Sequence, residues 1–343
     1  MSPLEYRMVY SAFTAVLFSL GATYLIKAVA IKFGIVDQPL LPRKIHKKPI
    51  PLLGGLAVFI SFWACMYIIR NSFRRISKEE FLGLFIGGLV LMIGGYLDDR
   101  YKLKPRHQFL FPVLAVIISL GFDIRVEGIT NPLGGIIILP QLFSYALSGF
   151  WLMGMMYTTK LLDGLDGLSS GVTAIGCLTI FMLAFFTKYY QPEMATLALV
   201  FFSAILGFLF FNWHPAKIFL GEGGSLWLGF MLGGFAILSG SKIITALLVM
   251  GIPILDVGWV ILRRIFIENR NPFIGDRKHL HYRLLDAGLS VPQAVLFFYL
   301  LALVFGLSSL FLVSFEKLQA LGVLFLLMVG AGYVLTHPKS LTR

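Results

Sequence analysis

The chain is 343 residues long, 58% hydrophobic and only 13% charged, with a formal net charge of +12 at pH 7. A mean hydropathy of +0.85, with no polar segment reaching even half of a minimal domain, excludes an ordinary soluble protein. In so apolar a chain the positive balance sets membrane orientation and meets anionic lipid head groups; it does not call for nucleic acid.

About 20 apolar residues suffice to cross a bilayer. Such runs recur at 8–31, 53–69, 81–97, 109–122, 142–159, 167–186, 194–212, 223–239, 243–266, 291–313 and 318–336. They predict an all-α polytopic membrane protein of ten to eleven transmembrane helices, with residues 1–343 as one integral domain. The run at 109–122 is short for a straight span. The first run lacks a cleavage pattern and is expected to stay as an anchor.

Most cations fall in the loops after odd-numbered runs, among them Arg43, Lys44, Lys102, Lys104, Lys160, Arg263 and Arg264. The positive-inside rule then places the N-terminus outside and the C-terminus in the cytoplasm. Arg70, Arg74, Arg75 and Lys78 dissent, partly offset by Glu79 and Glu80. Between runs four and five, Asp123–Glu127 alternates polar and apolar residues, Asn131-Pro-Leu-Gly-Gly135 supplies turn chemistry, and Ile136–Leu139 can return. That pattern predicts a small external β-hairpin. Cys65 and Cys177 sit inside apolar runs and read as buried reduced thiols.

The organising stretch is Leu161-Leu-Asp-Gly-Leu-Asp-Gly-Leu-Ser-Ser-Gly171, which sets Asp163 and Asp166 between two hydrophobic runs. Removing a charge from water costs several kcal/mol unless it is compensated, so these acids need a cation, a polar ligand or exposure. The predicted topology gathers further polar clusters on the same side. They are Arg43–Gly55, Asp98-Asp99 with Lys102, Phe211–Ser225 and Gly275–His281. Carboxylates, histidines and cations meeting in one cleft describe a metal-dependent site for a phosphorylated ligand.

Plainer readings stand beside this one. Asp98-Asp99 could simply end a helix, and Glu222 could be an acid favoured at a helix N-terminus. His279 and His281 lack the accompanying ligands of a zinc site. They suit phosphate contacts or a structural role equally. Asp256 lies well inside a predicted span, where an ionised Asp costs about 3 kcal/mol, so it should be protonated or paired.

Taken together, the clusters resemble the polyprenyl-phosphate N-acetylhexosamine-1-phosphate transferase family. This family contains the initiating enzymes of enterobacterial antigen and teichoic acid and is related to the phospho-MurNAc-pentapeptide translocase. The resemblance covers about residues 35–290 and rests on Arg43-Lys-x-His46-x-x-Pro49-x-Pro51-x-x-Gly-Gly55, Gly95-x-x-Asp-Asp99, Asp163-Gly-x-Asp-Gly-Leu168, Phe211-Asn-x-x-Pro-Ala-Lys-x-Phe-Leu-Gly221 and His279-x-His281. Departures are Lys160 for the family's Asn, Glu222 for Asp, Leu52 for Arg and Tyr282 for His. The translocase's Pro-x-His-His-His run is absent, which with a basic tail after the last run favours the antigen or teichoic-acid branch.

The resemblance implies transfer of N-acetylhexosamine 1-phosphate, GlcNAc 1-phosphate first among the choices, from a UDP-sugar to an undecaprenyl-type phosphate at the cytoplasmic face of a bacterial inner membrane. UMP would be released, and cell-envelope polysaccharide assembly would begin there. It implies Mg²⁺, with Mn²⁺ as a substitute, and a homodimer. By the same resemblance, Asp98, Asp99, Asp163, Asp166 and Glu222 are catalytic. Glu222 is the first metal ligand, with Asp98 and Asp99 near the metal and the lipid phosphate. Asn212 and Phe219 meet the nucleotide, Lys102, His279 and His281 meet phosphates, and Arg43 and His46 shape the acceptor side. Lys160 is expected to contact phosphate or an acid, standing in part for the missing Arg and His. Phospho-MurNAc-pentapeptide transfer is the alternative. A transporter would place its charges near the bilayer midplane and show repeats. The Asp-Gly pattern of CDP-alcohol phosphotransferases is not matched after Leu165.

Overall fold

Apolar runs punctuated by Pro, Gly and short charged loops leave helices as the economical way to satisfy the backbone within a bilayer. The computed structural model describes residues 3–39, 46, 48–70, 73, 75–131, 135–187, 190–240, 243–266, 279–312 and 314–336. In chain order these form α1 (Pro3–Lys32), β1 (Val36–Asp37), β2 (Ile50–Pro51), α2 (Gly54–Ile69), α3 (Lys78–Tyr101), α4 (Pro105–Gly121), β3 (Gly128–Thr130) and β4 (Ile136–Ile138). There follow α5 (Gln141–Leu162), α6 (Leu168–Phe186), α7 (Pro192–Asn212), α8 (Gly221–Leu238), α9 (Ile243–Phe266), α10 (Leu280–Asp286), α11 (Val291–Phe311) and α12 (Ser314–Thr336).

Each apolar run lies on a helix. Among the described residues, α1, α3, α6, α7, α9 and α11 are long and apolar enough to cross a membrane, while α2 and α4 are apolar but shorter. This makes the chain a multi-pass membrane protein. Cys65 and Cys177 are buried free thiols.

The hairpin between α4 and α5 is present, but its first strand is Gly128–Thr130 rather than the alternating stretch at 123–127. Local side-chain bonding takes that stretch out of the ladder. Arg125 bonds both Asp123 and Glu127, and the Val126 N–H donates to Ser148 Oγ at 2.8 Å. A second pairing, β1 with β2, was not anticipated; it closes the loop that carries His46.

Helix ends follow their local chemistry. A reciprocal capping box between Ser77 and Glu80 starts α3. Lys102, left-handed at φ 53°, ends it by donating its N–H to the Asp98 carbonyl at 2.8 Å. The last turn of α3 therefore presents Asp98 and Asp99 at the end of the bundle.

At the centre sits α8, whose residues between Gly223 and Ile237 are all buried. It packs on α2, α3, α5, α6 and α9. Its entry is possible only because two glycine pairs touch. A Cβ on Gly95 would lie 2.0 Å from the Gly223 nitrogen, and one on Gly55 would lie 2.0 Å from the Gly224 Cα. Outward faces are apolar, as a lipid-facing surface requires, with Tyr10, Phe13, Leu25, Phe150 and Leu300 exposed.

Backbone cannot move aside as a side-chain tip can, so Gly95→Ala should destabilise the protein by at least about 1–3 kcal/mol through overpacking. Thermal unfolding in detergent should show a clear drop in midpoint. Gly21→Ala, where a Cβ meets nothing within 4 Å, should leave it unchanged.

Candidate active site

The acids of three chain segments, Asp98-Asp99, Asp163 with Asp166, and Glu222, meet at one end of the bundle. Gly221 begins α8 at φ +76°, and a Cβ there would lie 2.4 Å from Asp99 Oδ2. Glycine thus serves both the turn and the approach. The Glu222 N–H, at the first turn of α8, donates to both Asp99 oxygens at 3.2 and 3.3 Å. Asp98 Oδ1 is held from its other side, accepting from the Leu103 N–H at 2.8 Å and from Gln108 Nε2 at 2.9 Å. Lys160, in the last turn of α5, forms an ion pair with Glu222 Oε1. Lys102 adds a second positive charge acting on Asp99 and Glu222.

The Asp-Gly stretch forms the turn between α5 and α6, and each part of it is clamped by a different element. Asp166 Oδ2 accepts from His214 Nδ1 at 2.7 Å and from the Ala216 N–H at 3.0 Å. Gly167, at φ 77°, donates its N–H to Asn212 Oδ1 at 3.2 Å, and its carbonyl accepts from the Tyr299 hydroxyl at 2.6 Å. Asn212 is buried, and it also accepts from Ser170 Oγ at 2.8 Å and donates to the Ile218 carbonyl at 3.0 Å. It supports the Asp166 turn and the 213–220 loop from below.

The histidines are further in than phosphate contacts alone would require. His279 Nδ1 lies 2.8 Å from Asp256 Oδ2, and the Leu280 N–H donates to Asp256 Oδ1 at 2.8 Å. The in-span Asp256 is thereby paired. His281 is 1% exposed and stacks parallel to His279 with centroids 5.6 Å apart. A Cβ on Gly164 would lie 2.4 Å from its Nε2. Burial pushes the His281 imidazole down to about 3, so the ring is neutral.

On the remaining side, His46 Nε2 is 3.0 Å from Asp37 Oδ2, and its ring meets Phe219 edge-on at 5.4 Å. The Phe219 N–H donates to the Pro51 carbonyl at 2.8 Å, and its own carbonyl accepts from the Gly54 N–H. Phe219 is therefore fixed by backbone bonds, with its ring against Ala30, Ile35, Leu52 and Leu53. Arg43 and the residues 267–278 before His279 lie outside the described residues, as does the basic tail.

Sequence reasoning passed over His214, Gln108, Asp37 and Tyr299 as partners of the acids, the histidine loop and the turn. His214 stood within a motif already singled out. Gln108 and Asp37 lie within ten residues of their partners but on other elements, and Tyr299 reaches Gly167 across 132 residues.

Comparison with known proteins follows the same geography. Residues 81–240 match the glycosyl transferase family 4 profile. A probable undecaprenyl-phosphate N-acetylglucosaminyl 1-phosphate transferase of Bacillus subtilis (strain 168) is 32% identical over 335 residues, covering 94% of this chain and 90% of that relative. A decaprenyl-phosphate N-acetylglucosaminephosphotransferase of Mycolicibacterium smegmatis is 30% identical, over 95% of this chain and 87% of the relative. A phospho-N-acetylmuramoyl-pentapeptide-transferase of Bacillus pumilus is also 30% identical, over 82% and 90%.

An all-oxygen donor set suits Mg²⁺, which takes one or two carboxylates and completes its shell with waters and phosphate oxygens. Among the described residues no three His, Cys, Asp or Glu side chains form a ready metal cage, and such a cation does not need one. Burial, reinforced by the like charges of Glu222, Asp166 and Asp99, pushes the Asp163 carboxyl from 3.8 up to about 8. Between those values the folded protein holds a proton that the unfolded chain releases. This group's contribution to stability is therefore lost progressively as pH rises through that window. The metal-free protein should melt lower at pH 8.5 than at pH 6, and Mg²⁺ should raise the midpoint more at pH 8.5. Thermal unfolding with and without Mg²⁺ checks this, and Asp163→Asn should reduce the difference.

Proposed function

This chain belongs to glycosyl transferase family 4, and from that membership we propose that it transfers N-acetylglucosamine 1-phosphate from a UDP-sugar to an undecaprenyl-type phosphate. The observation carrying this is the convergence of Asp98, Asp99, Asp163, Asp166 and Glu222, with Lys102 and Lys160, at one end of a membrane bundle. We place that end at the cytoplasmic face of a bacterial inner membrane, with eleven spans, the N-terminus outside, the C-terminus inside and two copies per assembly. The product would begin a cell-envelope polysaccharide.

In the reaction a phosphate oxygen of the lipid forms a bond to the sugar-linked phosphorus of the donor. The bond from that phosphorus to the bridging oxygen breaks, and UMP departs with the electron pair. The nucleophile is anionic near neutral pH, so no strong base is required. The difficulty is to bring two anions together. Lys102 and Lys160 counter that repulsion, and Asp98, its Oδ1 fixed by two donors, positions the acceptor or removes its remaining proton. Asp163 and Asp166 hold the nucleotide-side turn, while Phe219 offers a fixed ring to the uracil. Mg²⁺ or Mn²⁺, held by Glu222 with Asp98 and Asp99 nearby, would neutralise charge on the diphosphate and on the leaving UMP.

A second reading, phospho-MurNAc-pentapeptide transfer, draws on the Bacillus pumilus relative. The Pro-x-His-His-His run of that branch is absent from this chain, which speaks against it.

Purified protein with undecaprenyl phosphate, Mg²⁺ and a panel of UDP-sugars, including UDP-MurNAc-pentapeptide, tests both readings. Lipid-linked GlcNAc phosphate with stoichiometric UMP is expected; product only from the pentapeptide donor would replace the first reading with the second. Asp98→Asn should lower kcat at least about 100-fold if the residue moves a proton, measured as UMP release. Phe219→Ala should weaken UDP-GlcNAc binding more than lipid binding, which calorimetry and KM for each substrate would separate.

A further inference from the structure

We infer that Lys160 is a tethered counter-cation for Glu222. In the donor-free protein its ammonium sits on the carboxylate, and it yields that oxygen to a divalent cation when the donor's diphosphate arrives. The inference rests on the reading of the acid cluster as a divalent-cation site, and deepens it by giving that site a built-in competitor.

Three observations carry it. First, the pair joins two packed helices, with Lys160 in the last turn of α5 and Glu222 in the first turn of α8. Its side chains are only 21% and 17% exposed, so solvent and salt screen it less than a surface pair. Second, Glu222 Oε1 is buried, and the partner it meets there is the Lys160 ammonium, which both pairs with it and hydrogen-bonds to it. The ammonium is what compensates that oxygen, and a metal ion seeking Glu222 must displace it there. Third, two lysines act on the cluster, Lys102 on Asp99 and Glu222 and Lys160 on Glu222, so Glu222 is the acid on which Lys160 concentrates its charge.

Lysine suits this exchange better than arginine would. Its ammonium is a compact point charge on a flexible four-carbon stem, not a planar fork locked to a carboxylate. Tyr157, one helical turn before it, lies with its ring centre 5.5 Å from Nζ in the paired state and offers the ammonium a cation–π contact there. A phosphate oxygen of the donor offers it a stronger one. The metal therefore binds poorly alone and well with the diphosphate, because only the diphosphate gives Lys160 somewhere better to go. By linkage, the donor and the metal strengthen each other's binding by the same factor.

The test uses the full-length protein in lipid nanodiscs with Mn²⁺ as the paramagnetic probe, free Mn²⁺ being read by electron paramagnetic resonance. Without nucleotide, Lys160→Gln should bind Mn²⁺ about tenfold more tightly than the wild type, the size expected for losing one partly buried competing charge. Lys160→Arg should stay near the wild type. Added UDP-GlcNAc, without lipid acceptor, should tighten Mn²⁺ binding more in the wild type than in Lys160→Gln. Lys160→Met, which keeps the stem, serves where Gln does not fold, and thermal midpoints monitor folding. Equal Mn²⁺ affinity in the wild type and the neutral variants overturns the tethered cation while leaving the metal site standing. Absence of Mn²⁺ binding in every protein overturns the metal reading and this inference with it. A Lys160→Arg variant that behaves like Gln makes the effect one of shape, and also overturns it.

Discussion

Five carboxylates at the end of an apolar bundle set the terms for everything around them. Each would cost several kcal/mol to remove from water without compensation, and each is compensated differently. Asp98 takes a backbone N–H and a glutamine, Asp99 takes the Glu222 N–H in the first turn of α8, and Asp166 takes an imidazole and an N–H. Glu222 takes the Lys160 ammonium. Asp163, buried and then crowded by three other acids, has its carboxyl pushed up toward the protonated form. The first three arrangements are built from directed bonds and fix geometry. The last two use a mobile cation and a proton, both of which a divalent cation can replace. The acids thus divide into a rigid frame and an exchangeable part.

That frame depends on how closely the helices can approach. The Asp99 carboxylate reaches the Glu222 N–H only because α8 begins against the last turns of α3, and that contact exists only where Gly95 meets Gly223. Gly221 removes the last obstacle, since any Cβ there would strike Asp99 itself. Packing in the apolar interior and the chemistry at its end are therefore one problem. A methyl group added at a helix crossing would move a carboxylate.

The sequence made the helices legible because hydrophobic runs of this length have few other fates, and it made the acid clusters legible because charge is scarce in such a chain. Pairing was not legible. His214 reaches Asp166 across 48 residues, and His279 reaches Asp256 across 23; no periodicity encodes such contacts. The alternating stretch at 123–127 looked like a strand because period-2 patterning does not show which backbone groups side chains will take, and Ser148 takes that of Val126. Lys160 was legible as an anomaly, an extra charge ahead of the acids. Its partner on another helix was not.

Asp256 shows why a costly residue can persist in a span. Paired with His279 and with the Leu280 N–H, it ties the start of α10 to the middle of the chain's ninth long apolar segment. A buried pair of this kind contributes little net stability against an apolar replacement, but it specifies one arrangement over its neighbours. Here the arrangement carries His281 into contact with Gly164, the residue after Asp163, where a side chain larger than glycine's would collide with the ring. The turn that holds two of the five acids is thus gripped from beneath by Asn212, from one side by Tyr299 and His214, and from another by His281. Its glycines are the points where those grips close.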